Sequence, residues 1–215
     1  EVALARTLND IQRDAPMMRF EVQQIDGQLV EALERGLVDI LITIDYAMSA
    51  DHPSQILFQD DHVVVGWEKN PVMHEPMTRD LYFAQPHVIT RFGRGRVSAF
   101  EDWFMRRQKK ARRVEIVAPT FVSVPSFIVG TNRIATMHRR MATRMASVLP
   151  LIVKEVPMDI PPIREAIQWH LSNNNDPAIR WIVERLCAGA AEEDRQLAQV
   201  PSAPIEQDRD HAEIS

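Results

Sequence analysis

Residues 29–42, LVEALERGLVDILI, predict a short amphipathic helix that ends at Gly36 and a buried strand that follows it. Glycine suits the left-handed position after a helix. Residues 38–44 are almost all apolar, and we expect such a strand to be covered on both faces in a parallel sheet. Before them, residues 14–22, DAPMMRFEV, predict a helix end and a half-buried strand over residues 19–25. This order of elements is typical of a lobe that senses small molecules.

Residues 1–84, completed by residues 163–191, are predicted to form one α/β lobe. Leu4, Leu8 and Ile11 follow helical spacing. Residues 56–59 and 62–67 predict two strands separated by an acidic turn, Asp60-Asp61, and Thr78 is placed to cap a helix that ends at Ala84.

Residues 85–162 are predicted to form a second α/β lobe. Its predicted strands are residues 87–92, 114–117, 134–137 and 151–156. Ser98 is predicted to cap a helix whose Phe100, Trp103 and Phe104 face inward. Further helices are predicted at residues 120–129, closed by Gly130, and at residues 138–146.

The chain then returns to the first lobe. Residues 166–170 predict a strand, and Asp176-Pro177 is a favourable helix start because aspartate caps and proline suits the first helical position. From residue 192 the chain is polar and contains Pro201 and Pro204. We therefore expect residues 192–215 to be disordered.

Composition indicates an ordinary soluble globular protein, with 45% apolar and 26% charged residues among 215. No stretch approaches the roughly 18 apolar residues that a membrane helix requires. The single cysteine, Cys187, fits a reducing cytoplasm and a buried structural thiol. The net charge of -5 argues against DNA reading by this segment alone.

Three groups of motifs carry a resemblance to a known family. They are residues 15–42 with Ala15-Pro16; residues 92–117 with Phe92-Gly93-Arg94-Gly95-Arg96, Glu101-Asp102-Trp103-Phe104 and Arg112-Arg113-Val114; and residues 134–177 with Met137-His138-Arg139-Arg140, Trp169-His170 and Asp176-Pro177. In this order they resemble the effector-binding domain of LysR-type transcriptional regulators. The third group is most similar to the branch that senses flavonoids, salicylate and other aromatic acids.

The resemblance implies two Rossmann-like lobes with a central cleft, as in type 2 periplasmic binding proteins. The chain would cross between lobes near Ala84 and return near Pro162, and a small organic effector would lie in the cleft without a cofactor. In an intact regulator a winged helix-turn-helix that binds DNA precedes this domain, and it is absent from this chain. The domains pair as dimers or tetramers, for which Leu4, Leu8, Ile11, Phe100, Trp103 and Phe104 are candidates, with intramolecular packing as the alternative.

Ligands of α/β sheets lie beyond the carboxyl ends of the strands. That rule nominates, as effector-binding residues, Thr43, Asp45, Thr90, Arg91, Phe92, Thr136 and Met137. Phe92, Phe121 and Met137 are candidates for apolar walls. Arg91 or Arg94 is a candidate for binding a carboxylate through two parallel hydrogen bonds. Thr120, Ser123 and Thr136 offer hydroxyl groups, and His170 is a candidate for the pocket or the hinge.

Each candidate also has a purely structural interpretation. Arg91 would form a salt bridge, Thr120 would cap a helix, Phe121 and Met137 would belong to the core, and His170 would make a structural hydrogen bond.

Two charged segments are interpreted as surface. The basic run Arg106–Arg113 lacks the interleaved aromatic side chains that stack on bases, so we interpret it as a solvated helix end. The pair Glu101/Asp102 is interpreted as an exposed helix face. The seven histidines lack metal-ligand spacing, and no nucleophile or phosphate-loop motif is present.

Three hypotheses follow. The first is the sensor domain of a cytoplasmic LysR-type regulator that binds an aromatic or carboxylated effector. The second is a transport-type solute-binding protein of the same architecture, which an N-terminal signal peptide would distinguish. The third is an enzyme on a similar scaffold, which turnover assays would reveal.

Overall fold

A computed structural model of the protein describes residues 2–23, 29–93, 97–108 and 110–198. The helices in these ranges are α1 (Val2–Asp14), α2 (Leu29–Glu34), α3 (Arg79–Ala84), α4 (Phe100–Met105), α5 (Pro125–Ile128), α6 (Arg139–Ala146) and α7 (Pro177–Ala198). The strands are β1 (Ile40–Ile44), β2 (Ser54–Asp60), β3 (His62–Trp67), β4 (Pro86–Phe92), β5 (Val97–Ser98), β6 (Arg113–Ala118), β7 (Ile134–His138), β8 (Leu151–Glu155) and β9 (Ile163–Trp169). None of these helices is long and apolar enough to cross a bilayer.

The smaller sheet has the order β1-β9-β2 and forms, with α1, α2 and α7, what we call the small lobe. Ile167 on the central strand packs against Ile179, Val183 and Leu186 of α7. Because these α7 residues recur with helical spacing, one face of α7 covers the sheet.

The larger sheet has the order β5-β4-β7-β3-β8, with β6 beside β4, and forms the large lobe with α3–α6. Strand β3 is buried on both faces: Val63 and Val65 belong to one core cluster, and Val64 to another with Tyr82 and Ile134. The alternation follows from the two-residue period of a strand. The predicted fold of two α/β lobes around a cleft is confirmed.

The chain passes between the sheets at Asp61. Asp60 ends β2 and pairs with Ile163 of β9, whereas Val63 of β3 pairs with Glu155 of β8. The return lies between Glu155 and Ile163. The expected crossing near Ala84 is therefore wrong, and residues 62–84 belong to the large lobe. The two strands that the acidic turn separates were predicted correctly, but they belong to different sheets.

Strand β1 differs from the prediction in direction. It pairs antiparallel with β9, with Ile42 opposite Ile167, and not in a parallel sheet. An apolar run indicates burial, but it carries no information about the direction of the partner strand. Residues 19–23, predicted as a strand, form no ladder within the described part of the chain, and residues 24 and 25 lie outside it.

Local helix signals were more reliable. The Thr78 hydroxyl accepts a hydrogen bond from the first turn of α3, and the Asp176 carboxylate does so for α7. Gly36 adopts φ +66° after α2, as expected for a left-handed cap. The prediction for Ser98 is wrong: Ser98 ends β5, and Ala99 occupies the cap position of α4.

Helix α7 extends to Ala198, so the predicted disorder from residue 192 is wrong for residues 192–198. Arg140 of the large lobe forms ion pairs with Glu193 and Asp194, which gives this polar helix end a partner. Residues 199–215 lie outside the described part of the chain.

Candidate functional site

A cavity of about 1300 Å³ lies where the two lobes face each other. The large lobe contributes Phe92, Ser98, Ala99, Phe100, Trp103, Thr120, Phe121, Val122, His138, Arg140 and Met141. The small lobe contributes mainly apolar side chains from α1, α7, β1, β2 and residues 18–22, together with Arg19, Glu21, Gln23, Asp39, Thr43, Tyr46, Asp60, Glu165 and Glu193. Mostly apolar walls with few polar groups are typical of small-molecule sites.

The wall on the large lobe is aromatic. The rings of Phe92 and Phe121 lie edge to face with centroids 5.7 Å apart, and His138 lies 4.8 Å from Phe121. Phe100 and Trp103 stack at 5.8 Å. Rings at these distances and angles attract one another beyond simple burial, so they form a stable apolar surface on which another ring can pack.

Tyr46 of the small lobe reaches across the cleft, and its ring centroid lies 5.8 Å from that of Phe100. Burial raises the pKa of Glu165, and burial followed by nearby carboxylates raises the pKa of Tyr46. The small-lobe side therefore offers a phenol, which can donate a hydrogen bond, and a carboxyl group whose pKa is raised by burial.

Arg140 lies at the start of α6, and its side chain is 9% exposed. Its backbone N–H donates to both carboxylate oxygens of Asp60 at 3.3 Å, and its guanidinium lies 4.1 Å over the ring of Phe58. The guanidinium pairs with Glu193 at 3.4 Å and with Asp194. Burial raises the pKa of Asp60 to about 6, which the Arg140 N–H and charge only partly offset.

Two imidazoles lie next to this cluster. The rings of His62 and His138 are 5.3 Å apart, and His62 stacks on Phe100 at 5.8 Å. Burial lowers the pKa of His62 to about 4 and that of His138 to about 3, so both are neutral at pH 7. In the described ranges, no three His, Cys, Asp or Glu side chains are arranged to hold a metal ion.

A family model described as the LysR substrate binding domain matches residues 1–191. The chain belongs to this LysR family. Nodulation protein D 2 of Rhizobium tropici is 36% identical over 193 residues, which cover 90% of this chain and 60% of that protein. Nodulation protein D of Bradyrhizobium sp. (strain ANU 289) is 35% identical over 181 residues, covering 84% and 54%. The chain thus spans less than two thirds of these relatives. The family consists of transcriptional regulators and not of enzymes.

Solved structures show the same fold for this LysR-family domain. The regulatory domain of MexT, a transcriptional activator in Pseudomonas aeruginosa, superimposes with a TM-score of 0.73 at 22% identity, covering 86% of this chain and 92% of that one. A transcriptional regulator from Vibrio parahaemolyticus gives a TM-score of 0.78 at 19% identity, covering 90% and 91%. The type 2 periplasmic-binding-protein architecture is therefore that of the LysR-family domain.

Four of the effector-binding residues predicted from the sequence line the cavity: Thr43, Phe92, Thr120 and Phe121. Thr120 also caps the 3₁₀ turn Phe121–Ser123, so its structural role holds as well. Arg94 lies outside the described residues.

The other predicted residues within the described ranges do not line the cavity and have structural roles. Asp45 pairs with Arg164, and the Ser123 hydroxyl donates to the carbonyl oxygen of Thr120 at 2.8 Å. Thr136 shares a 2.7 Å hydrogen bond with Tyr82, Thr90 and Met137 are buried in the large lobe, and His170 bonds Ser172 at 2.7 Å.

Arg91 points to Asp102, with Nε 3.5 Å from a carboxylate oxygen. The same carboxylate accepts from Arg106 and Arg112, each at 2.7 Å. Glu101 and Asp102 are 0% and 3% exposed, so the prediction of an exposed helix face is wrong. The interpretation of the basic run as solvated is also wrong for Arg112, because that side chain is 3% exposed. Asp102 is buried together with arginines of opposite charge, whereas both carboxyl oxygens of Glu101 are buried without a hydrogen-bond partner among the described residues.

The sequence did not nominate Tyr46, His138, Arg140 or Glu165, although all four line the cavity. For two of them the signal was present. His138 ends β7, and Arg140 follows two residues later at the start of α6. They therefore occupy the carboxyl end of a strand, which is the position that the rule for α/β sheets designates.

Proposed function

We propose that this LysR-family domain binds a small aromatic or carboxylated effector in the cleft between its lobes, as the sensor of a longer, cytoplasmic transcriptional regulator. The observation that supports this most directly is the cavity of about 1300 Å³ with an aromatic wall formed by Phe92, Phe121 and Phe100. Phenyl faces favour a flat ring as the ligand core.

Binding would act through the angle between the lobes. Tyr46 and Phe100 contact each other across the cleft, so a ligand between the lobes changes which interlobe contacts form. A ligand shifts such an equilibrium only as far as its affinities for the two arrangements differ. In the longer regulator the shift would reposition DNA-binding domains that lie N-terminal to this segment.

Self-association into dimers or tetramers is part of the same proposal. Trp103 is 45% exposed, with Arg107 3.7 Å above its ring, and Val114 and Val117 of β6 are also exposed. Ile11, which the sequence offered as an interface candidate, is fully buried within the small lobe and is excluded from that role.

A transport-type solute-binding protein would use the same two-lobed architecture. The family match over residues 1–191 favours the regulator. The two functions differ in one respect that can be measured, because only the regulator, in its full length, binds operator DNA in an effector-dependent manner.

The test is thermal unfolding of the domain against aromatic acids, flavonoids, short organic acids and amino acids. A ligand at 100 times its dissociation constant stabilises the native state by about 2.7 kcal/mol. We expect a shift with one chemical class, and weaker binding in Phe92→Ala and Thr43→Val, which alter the cavity lining.

Thr90→Val is the matched control, since Thr90 is buried in the large lobe but does not line the cavity. Equal affinity in Thr43→Val, Phe92→Ala and the wild type would place the ligand elsewhere. The absence of any shift across the panel would refute the sensor assignment for these compounds.

A further inference from the structure

We propose that Arg140 is the anion-binding residue of the cleft, and that Glu193 and Asp194 are its internal ligands, which the carboxylate of an aromatic effector displaces. This inference rests on the proposed sensor function and specifies how that site recognises charge. It transfers the role that the sequence suggested for Arg91 to a different arginine, because Arg91 faces Asp102 and is not part of the cavity lining.

The position of Arg140 supports the assignment. Its side chain is 9% exposed, lines the cavity and lies 4.1 Å over Phe58. A buried guanidinium without an anion is strongly unfavourable. Whichever ligand the cleft holds, Arg140 therefore requires a carboxylate or a similar anion beside it.

The carboxylates of Glu193 and Asp194 can leave these ion pairs more easily than the buried Arg140 guanidinium can. Asp194 is 51% exposed and Glu193 is 23% exposed and 3.4 Å away, so water can solvate both carboxylates when they leave. The main chain of Arg140 is fixed, because its backbone N–H donates to the Asp60 carboxylate. An incoming carboxylate can form two parallel hydrogen bonds with the planar guanidinium.

The exchange would also act on the structure. Arg140 belongs to the large lobe, whereas Glu193 and Asp194 are in the last part of α7, which packs on the small lobe. These ion pairs therefore connect the two lobes beside the cavity. Their replacement by a ligand removes an interlobe connection and frees the end of α7, so that recognition of an anion is coupled to lobe position.

The test uses benzoate as the probe, with benzamide as its uncharged analogue. Affinity is measured by calorimetry on the wild type and on the double variant Glu193→Gln/Asp194→Asn. Removing the internal carboxylates should increase the affinity for benzoate about tenfold, which is roughly the effect of one charge-assisted hydrogen bond. The affinity for benzamide should stay unchanged. Adding Arg140→Gln to the double variant should abolish the gain.

Glu192→Gln is the matched control, because Glu192 is one position away on α7 but pairs with Arg195 and Gln196 on the surface. It should bind benzoate as the wild type does. Hydrogen exchange gives a second readout: benzoate should increase amide exchange over residues 190–198 of the wild type.

Equal benzoate affinity in the wild type and the double variant would overturn the internal-ligand proposal. Binding by neither protein, or a gain that persists with Arg140→Gln, would overturn the anion site. Neither result would refute the sensor function, which is tested separately by the panel with the Thr43 and Phe92 variants. A neutral aromatic compound that binds in that panel would keep the sensor and reject Arg140 as its anchor.

Discussion

The guanidinium of Arg112 donates to the carboxylate of Asp102 across 2.7 Å, and the two side chains are only 3% and 4% exposed. Arg106 donates to the same carboxylate at 2.7 Å. Burial alone would raise the pKa of Asp102, but the Arg106 hydrogen bond and the Arg112 charge outweigh burial and lower that pKa. The ion pair therefore fixes the basic segment after α4 to the interior of the large lobe.

Asp102→Asn should destabilise the fold by about 3–5 kcal/mol, because it leaves the Arg112 charge buried without its partner. Urea denaturation at pH 7 measures the change. Asp80→Asn is the control: Asp80 is 94% exposed in its ion pair with Lys110, and such pairs contribute about 0–1 kcal/mol. Equal effects of the two substitutions would contradict the role assigned to Asp102.

Glu101→Gln should stabilise the protein at alkaline pH. Burial raises the pKa of Glu101 to about 7 from an ordinary 4.5. Between these values the folded state retains a proton that the unfolded state has lost, so folding stability falls as pH rises from 4.5 to 7. Above pH 7 the ionised Glu101 lowers the free energy of unfolding by roughly 3 kcal/mol. Glutamine cannot ionise, so the substitution removes this loss. Urea unfolding at pH 5 and pH 8 should show a gain mainly at pH 8.

The control for Glu101 is the exposed Glu184 on α7, and Glu184→Gln should change the pH dependence of stability less than Glu101→Gln does. A gain in Glu101→Gln that is the same at pH 5 and pH 8 would mean that Glu101 is ionised in the folded protein throughout this range.

His62→Phe should make the domain less sensitive to acid. Burial lowers the pKa of His62 to about 4 from 6.5, so the folded state excludes a proton that the unfolded state binds below pH 6.5. The contribution of neutral His62 to the free energy of unfolding is fully present above pH 6.5 and is lost as the pH falls towards 4. The loss at pH 5 is roughly 2 kcal/mol. Thermal unfolding at pH 7 and pH 5 should show a smaller decrease in His62→Phe than in the wild type.

His74→Gln provides the comparison, since it replaces a histidine that is exposed. It should alter the loss of stability between pH 7 and pH 5 less than His62→Phe does. If His62→Phe loses as much stability between pH 7 and pH 5 as the wild type, then His62 is not among the groups that resist protonation.

Gly189→Ala should destabilise the contact between α1 and α7. An added Cβ at Gly189 would collide with the side chain of Thr7, which is 6% exposed. Overpacking of this kind costs about 1–3 kcal/mol and exceeds the gain of up to about 1 kcal/mol from alanine in a helix. Chemical denaturation of Gly189→Ala, Thr7→Ala and the double variant forms a cycle. A cost that is unchanged when Thr7 is alanine would disprove the steric explanation.

The parts of the fold that were predictable from sequence depend on neighbours along the chain. Strand β3 follows from its short apolar run, and the caps of α3 and α7 follow from Thr78 and Asp176. The direction of β1 was not predictable, because its partner β9 lies more than a hundred residues later.

The candidate site likewise contains residues that the sequence predicted and residues that it did not. Thr43 and Phe92 follow from the ends of strands, and both line the cavity. Arg91 pairs with Asp102, whereas Arg140 pairs with Glu193 and lines the cavity, and the residue type does not distinguish the two arginines. The burial of Glu101 depends likewise on tertiary packing, since its two neighbours in sequence give no sign of it.

The crossings at Asp61 and between Glu155 and Ile163 lie side by side, because the strands that they join are paired at those ends. Two adjacent connections define a line, and rigid bodies joined along a line retain one rotational degree of freedom. Compounds of different shape would then differ only in where along this single coordinate they stop the rotation. Under the sensor function proposed above, activation and antagonism would be two positions on this one rotation.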